Sequence, residues 1–189
     1  LQHVAERELH AGLVAHRAEG GSVVIMNPRT GEILAMANEP TFNPNAFQES
    51  AEEHRRNRAV QDLYEPGSTF KLVTAAAALA DGKTPDSMVD APDRLKLPNT
   101  QVFLPNSTNC GGTKITITQA LKVSCNTAFA NLGLELGQDK LREQAQAFGF
   151  DQRHLADLGG VASQFPDKLN KAQLALSSIG QYDVAASPL

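Results

Sequence analysis

Apolar residues recur at Leu1, Val4, Leu9 and Leu13 among Glu, Arg and His, a spacing close to one helical face. This predicts a helix over residues 1–18, ended by Gly20-Gly21. Ser22 to Met26 (SVVIM) is rich in β-branched residues, Asn27 to Gly31 carries turn chemistry, and Glu32 to Ala37 is a second apolar run. Residues 22–37 therefore read as a strand hairpin. Residues 38–57 hold Pro40, Pro44 and a patch of charge and read as a surface excursion, and Asn57 to Gly67 reads as irregular. An alanine-rich run then predicts a helix over 68–80, closing before Gly82. Four prolines (Pro85, Pro92, Pro98, Pro105) make 85–112 loop-like, with short β-prone pieces such as Gln101 to Leu104. A helical segment follows over 116–148: Thr116-x-x-Gln119 offers a capping box, Ser124-Cys125-Asn126 interrupts, and Gly137 and Gly149 punctuate. Asn170 to Ser178 reads as a last short helix.

Composition narrows the picture. With 189 residues, 41% hydrophobic and 20% charged, the chain falls in the range of one globular domain. Seventeen Lys and Arg against 21 Asp and Glu give a formal charge of -4, which argues against a basic face for nucleic acid. No apolar run is long enough to span a bilayer, and no signal-peptide pattern opens the chain. His3, His10, His16, His54 and His154 show no metal-ligand spacing and read as surface residues. Cys110 and Cys125 match no C-x-x-C pattern, so no metal is expected, and the two thiols could pair or stay free.

The chemistry gathers at the start of the alanine-rich helix. Ser68 and Lys71, three positions apart, project from neighbouring points of one face, a spacing that suits a nucleophile and its base. The positive end of the helix favours an oxyanion at Ser68 and, with burial, lowers the Lys71 pKa toward the range where a neutral amine takes a proton. Pro66-Gly67 allows a sharp entry that exposes the hydroxyl. By composition, a bare Ser-x-x-Lys arises by chance in a chain of this size about half the time, so a second element must decide. Two Ser-x-Asn triplets follow. Ser107-Thr108-Asn109 lies in a Pro/Asn/Thr loop where turn chemistry accounts for it. Ser124-Cys125-Asn126 sits between two amphipathic helical segments, where a rigid junction can aim both side chains into a cleft, and it is the chosen partner.

These two motifs resemble those of the penicillin-binding protein transpeptidases, within the serine β-lactamase and penicillin-binding superfamily. Asn27 to Met36, Asn57-Arg58-Ala59, Tyr64-Glu65-Pro66-Gly67 and Ile179-Gly180-Gln181 also look like pieces of that domain, in order along nearly the whole chain. A cysteine inside the second motif looks most like monofunctional class B members from actinobacteria. The resemblance implies an α/β (α+β) fold with an antiparallel sheet flanked by helices. It implies a D,D-transpeptidase that cross-links peptidoglycan stem peptides through a Ser68 acyl-enzyme and is acylated by β-lactams. Lys71 would take the serine proton, Ser124 would relay it to the leaving amine, Asn126 would bind the acyl peptide, and the Ser68 N–H would supply half the oxyanion hole. No cofactor or metal is implied. The competing readings are a serine β-lactamase and a non-catalytic β-lactam sensor or scaffold.

The family's third motif, Lys-Thr-Gly, follows the second by on the order of a hundred residues or more. It does not occur there in this chain, and Lys83-Thr84-Pro85, between the first two motifs, is no substitute. Residues 1–189 are therefore expected to be the first part of a larger transpeptidase domain that holds the nucleophile but does not catalyse alone. The implied location is the extracytoplasmic face of the bacterial plasma membrane, with an anchor outside this segment and cell-division or elongation proteins as partners. That compartment favours a Cys110–Cys125 disulfide, whose loop closure would contribute roughly 3 kcal/mol.

Overall fold

The computed structural model describes all residues 1–189, which divide into two units. The first comprises 1–64, 153–162 and 186–189. Its opening helix α1, Gln2–His16, buries Ala5 and Leu9 against Ala35 and Ala37 of the second strand, with Leu13, Val23 and Ile25 completing the cluster. Alanine at alternate strand positions keeps that face shallow, so the helix lies close to the sheet. Gly20-Gly21 does not end α1. Arg17 does, in the left-handed conformation at φ 53°, while the Ala18 N–H reaches back to the Leu13 carbonyl. The glycines are occupied otherwise: Gly21 opens the strand, and a Cβ on Gly20 would lie 2.9 Å from the Glu39 carbonyl oxygen.

Strands β1 (Gly21–Met26) and β2 (Ile33–Glu39) pair antiparallel with Val24 opposite Met36, and a bulge falls between Ile25 and Met26. The Gln2 carboxamide clasps the Met36 backbone, donating to its carbonyl at 2.8 Å and accepting its N–H at 2.9 Å. Two 3-10 turns, Pro44–Glu49 and Glu52–Arg55, follow β2. The stretch read as irregular after Asn57 contains a short helix, α2 (Arg58–Gln61). Side chains remote in sequence hold it: Asn38 accepts the Ala59 N–H at 2.8 Å, and Ala59 and Val60 are buried. Periodicity over four residues carries no such signal.

The second unit comprises 65–152 and 163–185. The helix expected over 68–80 has two parts, a 3-10 turn at Gly67–Phe70 and helix α3 at Lys71–Ala80. The segment read as loop over 85–112 carries three short strands. β3 (Met88–Asp90) pairs with β6 (Lys114–Thr116), and β4 (Arg94–Lys96) pairs with β5 (Phe103–Pro105), all antiparallel. Each is only three residues long, too short for alternation to stand out among prolines. Helix α4 spans Ile117–Lys122, α5 Asn126–Leu136, α6 Gln138–Ala147 and α7 Lys171–Ser177. Thr116 caps α4 by accepting the Gln119 N–H, whereas the Gln119 side chain reaches the Cys110 carbonyl, so the capping box is only half formed.

Packing here relies on small residues. Ala77 and Ala78 of α3 and Leu141 and Ala145 of α6 are buried. A Cβ on Gly133 of α5 would fall 1.6 Å from the Ser178 hydroxyl, so only glycine permits this approach to the end of α7. Phe70 anchors the start of α3, edge-on to Phe150 at 5.4 Å and stacked on Phe165 at 5.7 Å. No helix is long and apolar enough to cross a membrane.

Candidate active site

Ser68 sits in the 3-10 turn, and Lys71 is the first residue of α3. With three residues per turn, side chains at i and i+3 eclipse, which brings the two together more directly than an α-helical start would. Lys71 Nζ lies 3.0 Å from Ser68 Oγ. The turn is held from behind: Gly67, at φ 53°, donates its N–H to the Gly180 carbonyl at 2.9 Å. Gly180, at φ 72°, has room only for hydrogen, since a Cβ there would meet the Gly67 carbonyl oxygen at 2.2 Å and Phe70 Cβ at 2.7 Å. This close approach gives Gly180, within the Ile179-Gly180-Gln181 stretch, its structural part.

Ser124, Cys125 and Asn126 form the junction between α4 and α5. Ser124 adopts φ 55°, left-handed for a residue other than glycine. It donates through Oγ to Ser68 Oγ at 3.0 Å and accepts from Lys71 Nζ at 2.8 Å, on both Oγ and its carbonyl. Asn126 Oδ1 accepts from Lys71 Nζ at 2.6 Å, and Nδ2 donates to the Pro105 carbonyl at 3.2 Å. The structure thus brings Ser68, Lys71, Ser124 and Asn126 into one cluster. The other triplet stays apart: the Thr108 hydroxyl bonds the Val123 carbonyl, and Asn109 accepts the Gly111 N–H in a local turn.

Lys71 is 1% exposed, and every oxygen it contacts is neutral. No carboxylate offsets the cost of burying its charge, so desolvation lowers its pKa to about 8. Burial supplies this effect, where the sequence had suggested the helix end as well. An amine near 8 is neutral in a tenth of molecules at pH 7 and in half at pH 8, a range in which it can accept a proton from Ser68.

Cys110 and Cys125 are joined in a disulfide with 5.5 Å between Cα atoms, and both are buried. Sequence reasoning missed Asn106 and Thr127. Asn106 bonds the Thr127 N–H and hydroxyl and the Pro92 carbonyl. The missing signal was indirect: position 125, where a helix cap belongs, holds a cysteine, so the cap must come from elsewhere. No group of three His, Cys, Asp or Glu side chains is placed to hold a metal ion.

Residues 21–189 match the family described as the penicillin binding protein transpeptidase domain. The chain is 42% identical over 188 residues to the peptidoglycan D,D-transpeptidase PbpA of Mycolicibacterium smegmatis, covering 89% of this chain and 38% of that protein. It is 31% identical to the peptidoglycan D,D-transpeptidase FtsI of Escherichia coli, covering 100% of this chain and 32% of that one. The crystal structure of PBPA from Mycobacterium tuberculosis superposes with a TM-score of 0.82 at 36% identity, covering 89% of this chain and 43% of that one. A penicillin G acyl-enzyme complex of that protein superposes with a TM-score of 0.81. The chain thus spans less than half the length of these relatives, and its mixed helices and antiparallel strands correspond to part of their domain. On these matches, the chain belongs to the penicillin-binding protein transpeptidase family.

Proposed function

We propose that this chain carries the acylation machinery of a peptidoglycan D,D-transpeptidase. The observation that carries the reading is the closed triangle of Ser68 Oγ, Lys71 Nζ and Ser124 Oγ, with sides of 3.0, 2.8 and 3.0 Å. Neutral Lys71 takes the Ser68 proton as Ser68 Oγ attacks the carbonyl of the penultimate D-alanine of a stem peptide. The tetrahedral oxyanion is stabilised in part by the Ser68 N–H. As the C–N bond breaks, the proton passes from Lys71 through the Ser124 hydroxyl to the leaving D-alanine amine, and the acyl group stays on Ser68. An acceptor amine then attacks the ester and reverses these proton movements, restoring the serine. Asn126 keeps one amide hydrogen and one lone pair beyond its bonds to Pro105 and Lys71, and these bind the acyl peptide.

β-Lactams mimic the acyl-D-Ala-D-Ala substrate and acylate Ser68 by the same attack, with the ring nitrogen as leaving group. The work is done on the extracytoplasmic face of the plasma membrane, alongside cell-division or elongation proteins. The Cys110–Cys125 disulfide supports that compartment, since such bonds persist where the medium is oxidising. A time course with penicillin tests the reading on the full-length protein. One acyl group per chain, formed in a burst without sustained hydrolysis, is expected. Rapid turnover would make it a β-lactamase, and equal labelling of Ser68→Ala would exclude an acyl-enzyme on Ser68.

A further inference from the structure

Helix α5 begins at Asn126, directly after Cys125, and the Cys125 side chain caps no backbone N–H of the helix end. The first N–H groups of a helix lack partners within it, and a Ser, Thr, Asp or Asn at the N-cap ordinarily accepts one. Cys125 is fully buried and spends its sulfur on the disulfide. The acceptor comes from 21 residues away. Asn106 Oδ1 accepts the Thr127 N–H at 2.9 Å, the bond an N-cap side chain makes to the second helical residue.

The other half of the Asn106 carboxamide fixes where that oxygen points. Nδ2 donates to the Pro92 carbonyl at 3.0 Å and to the Thr127 hydroxyl at 3.0 Å, and Thr127 passes its own hydroxyl proton to the Pro92 carbonyl at 2.8 Å. Thr127 is fully buried, so water does not replace these bonds. The residue before Asn106 completes the arrangement. The Pro105 carbonyl accepts from Asn126 Nδ2, which orients that amide with Oδ1 on Lys71. The last residue of β5 and the one that follows it thereby hold two consecutive residues at the start of α5.

We propose that Asn106 is a positioning residue for acylation. It is a cap supplied from a distant loop that fixes the start of α5, and with it the Asn126 amide and the Ser124 hydroxyl against Lys71 and Ser68. The inference rests on the acylation of Ser68 proposed above. Nothing in it requires Asn106 to touch substrate.

The test reads two quantities from one penicillin time course on the intact protein: the limiting acylation rate at saturating penicillin, and the endpoint number of acyl groups per total chain. Asn106→Ala is expected to lower the limiting rate roughly 10- to 100-fold, the scale of a small misplacement of reacting groups, with the endpoint still at one. A loss confined to the endpoint, with the rate of the remaining molecules unchanged, would reduce Asn106 to a fold-stabilising role and overturn the inference. Asn106→Asp keeps an acceptor for the Thr127 N–H but sets its second oxygen against the Pro92 carbonyl, and it is expected to lose about tenfold in the limiting rate with the endpoint still at one. If the alanine variant does not fold, the aspartate variant decides alone, and a wild-type limiting rate contradicts the positioning role. A wild-type protein that takes no label overturns the proposed function instead. The cap is then read from amide exchange at Thr127, which must quicken in Asn106→Ala, and unchanged exchange refutes it.

Discussion

Gly67 and Gly180 both hold left-handed backbone conformations behind Ser68, yet alanine should affect them very differently. At Gly67 a Cβ would meet no atom within 4 Å, so Gly67→Ala brings only conformational strain, about 1–2 kcal/mol. Part of that is offset by the lower entropy of the unfolded chain, leaving a loss of about 1 kcal/mol. At Gly180 the same strain is joined by contacts at 2.2 Å to the Gly67 carbonyl oxygen, 2.7 Å to Phe70 Cβ and 2.8 Å to the Gly67 nitrogen. Two of these are backbone atoms that no rotamer change can move. Overpacking of this kind costs roughly 1–3 kcal/mol, so Gly180→Ala should lose about 3 kcal/mol in all. With a urea slope of roughly 2 kcal/mol/M, the denaturation midpoint falls by about 1.5 M, against about 0.5 M for Gly67→Ala. The clash is relieved by spreading the Gly67 N–H to Gly180 carbonyl bond, which displaces the turn that carries Ser68. The Gly180 variant should therefore acylate on the order of 100-fold more slowly. Urea titrations at constant slope and a penicillin time course measure both quantities. Equal midpoint shifts for the two variants, or a Gly180→Ala protein that acylates at the wild-type rate, would refute the reasoning.

Two further outcomes follow from the buried lysine. The second-order acylation rate should rise about tenfold per pH unit from pH 6 and level off above about 8, as Lys71 becomes neutral, and a rate flat from pH 6 to 9 would contradict its role as base. The linkage to stability has a definite sign: the folded pKa, about 8, lies below the ordinary 10.5, so between these values the unfolded chain binds more protons. The cost of burying the charge is complete below pH 8, and its removal should raise stability as pH climbs toward 10.5, which denaturant midpoints across that range measure. Ser124→Ala removes the hydroxyl that joins Lys71 to Ser68 and should slow acylation by roughly 10²- to 10⁴-fold at unchanged fold. A rate within threefold of wild type would assign the proton relay elsewhere.

The legible features were those that local spacing controls. Ser68 and Lys71 are three apart, and any helical turn places them together. Ser124 and Asn126 were chosen over Ser107 and Asn109 because the former lie at a helix junction, and α4 and α5 do meet there. The hairpin is readable from its β-branched runs and from Asn27 to Gly31, although its first strand starts one residue earlier and its second runs from one residue later to two residues beyond the pattern. What stayed hidden depends on partners remote in sequence. Helix α2 takes its start from Asn38, β3 and β6 pair across more than twenty residues, and the α5 cap comes from Asn106. Arg17 ends α1 in a left-handed conformation that has no compositional signature, whereas Gly20-Gly21 carry one without ending the helix. Burial of Lys71 is a property of the assembled helices, and so is the resulting drop in its pKa.

The central claim is that Ser68 is the nucleophile acylated by mimics of a D-alanyl-D-alanine terminus. Mass spectrometry of the tryptic peptide from Ala59 to Lys71, taken from the full-length protein after brief exposure to penicillin G, tests it most directly. The account predicts a mass increase equal to one intact penicillin G, mapped by fragmentation to Ser68. An unmodified peptide, or an adduct mapped to Thr69 or to another part of the chain, would contradict it.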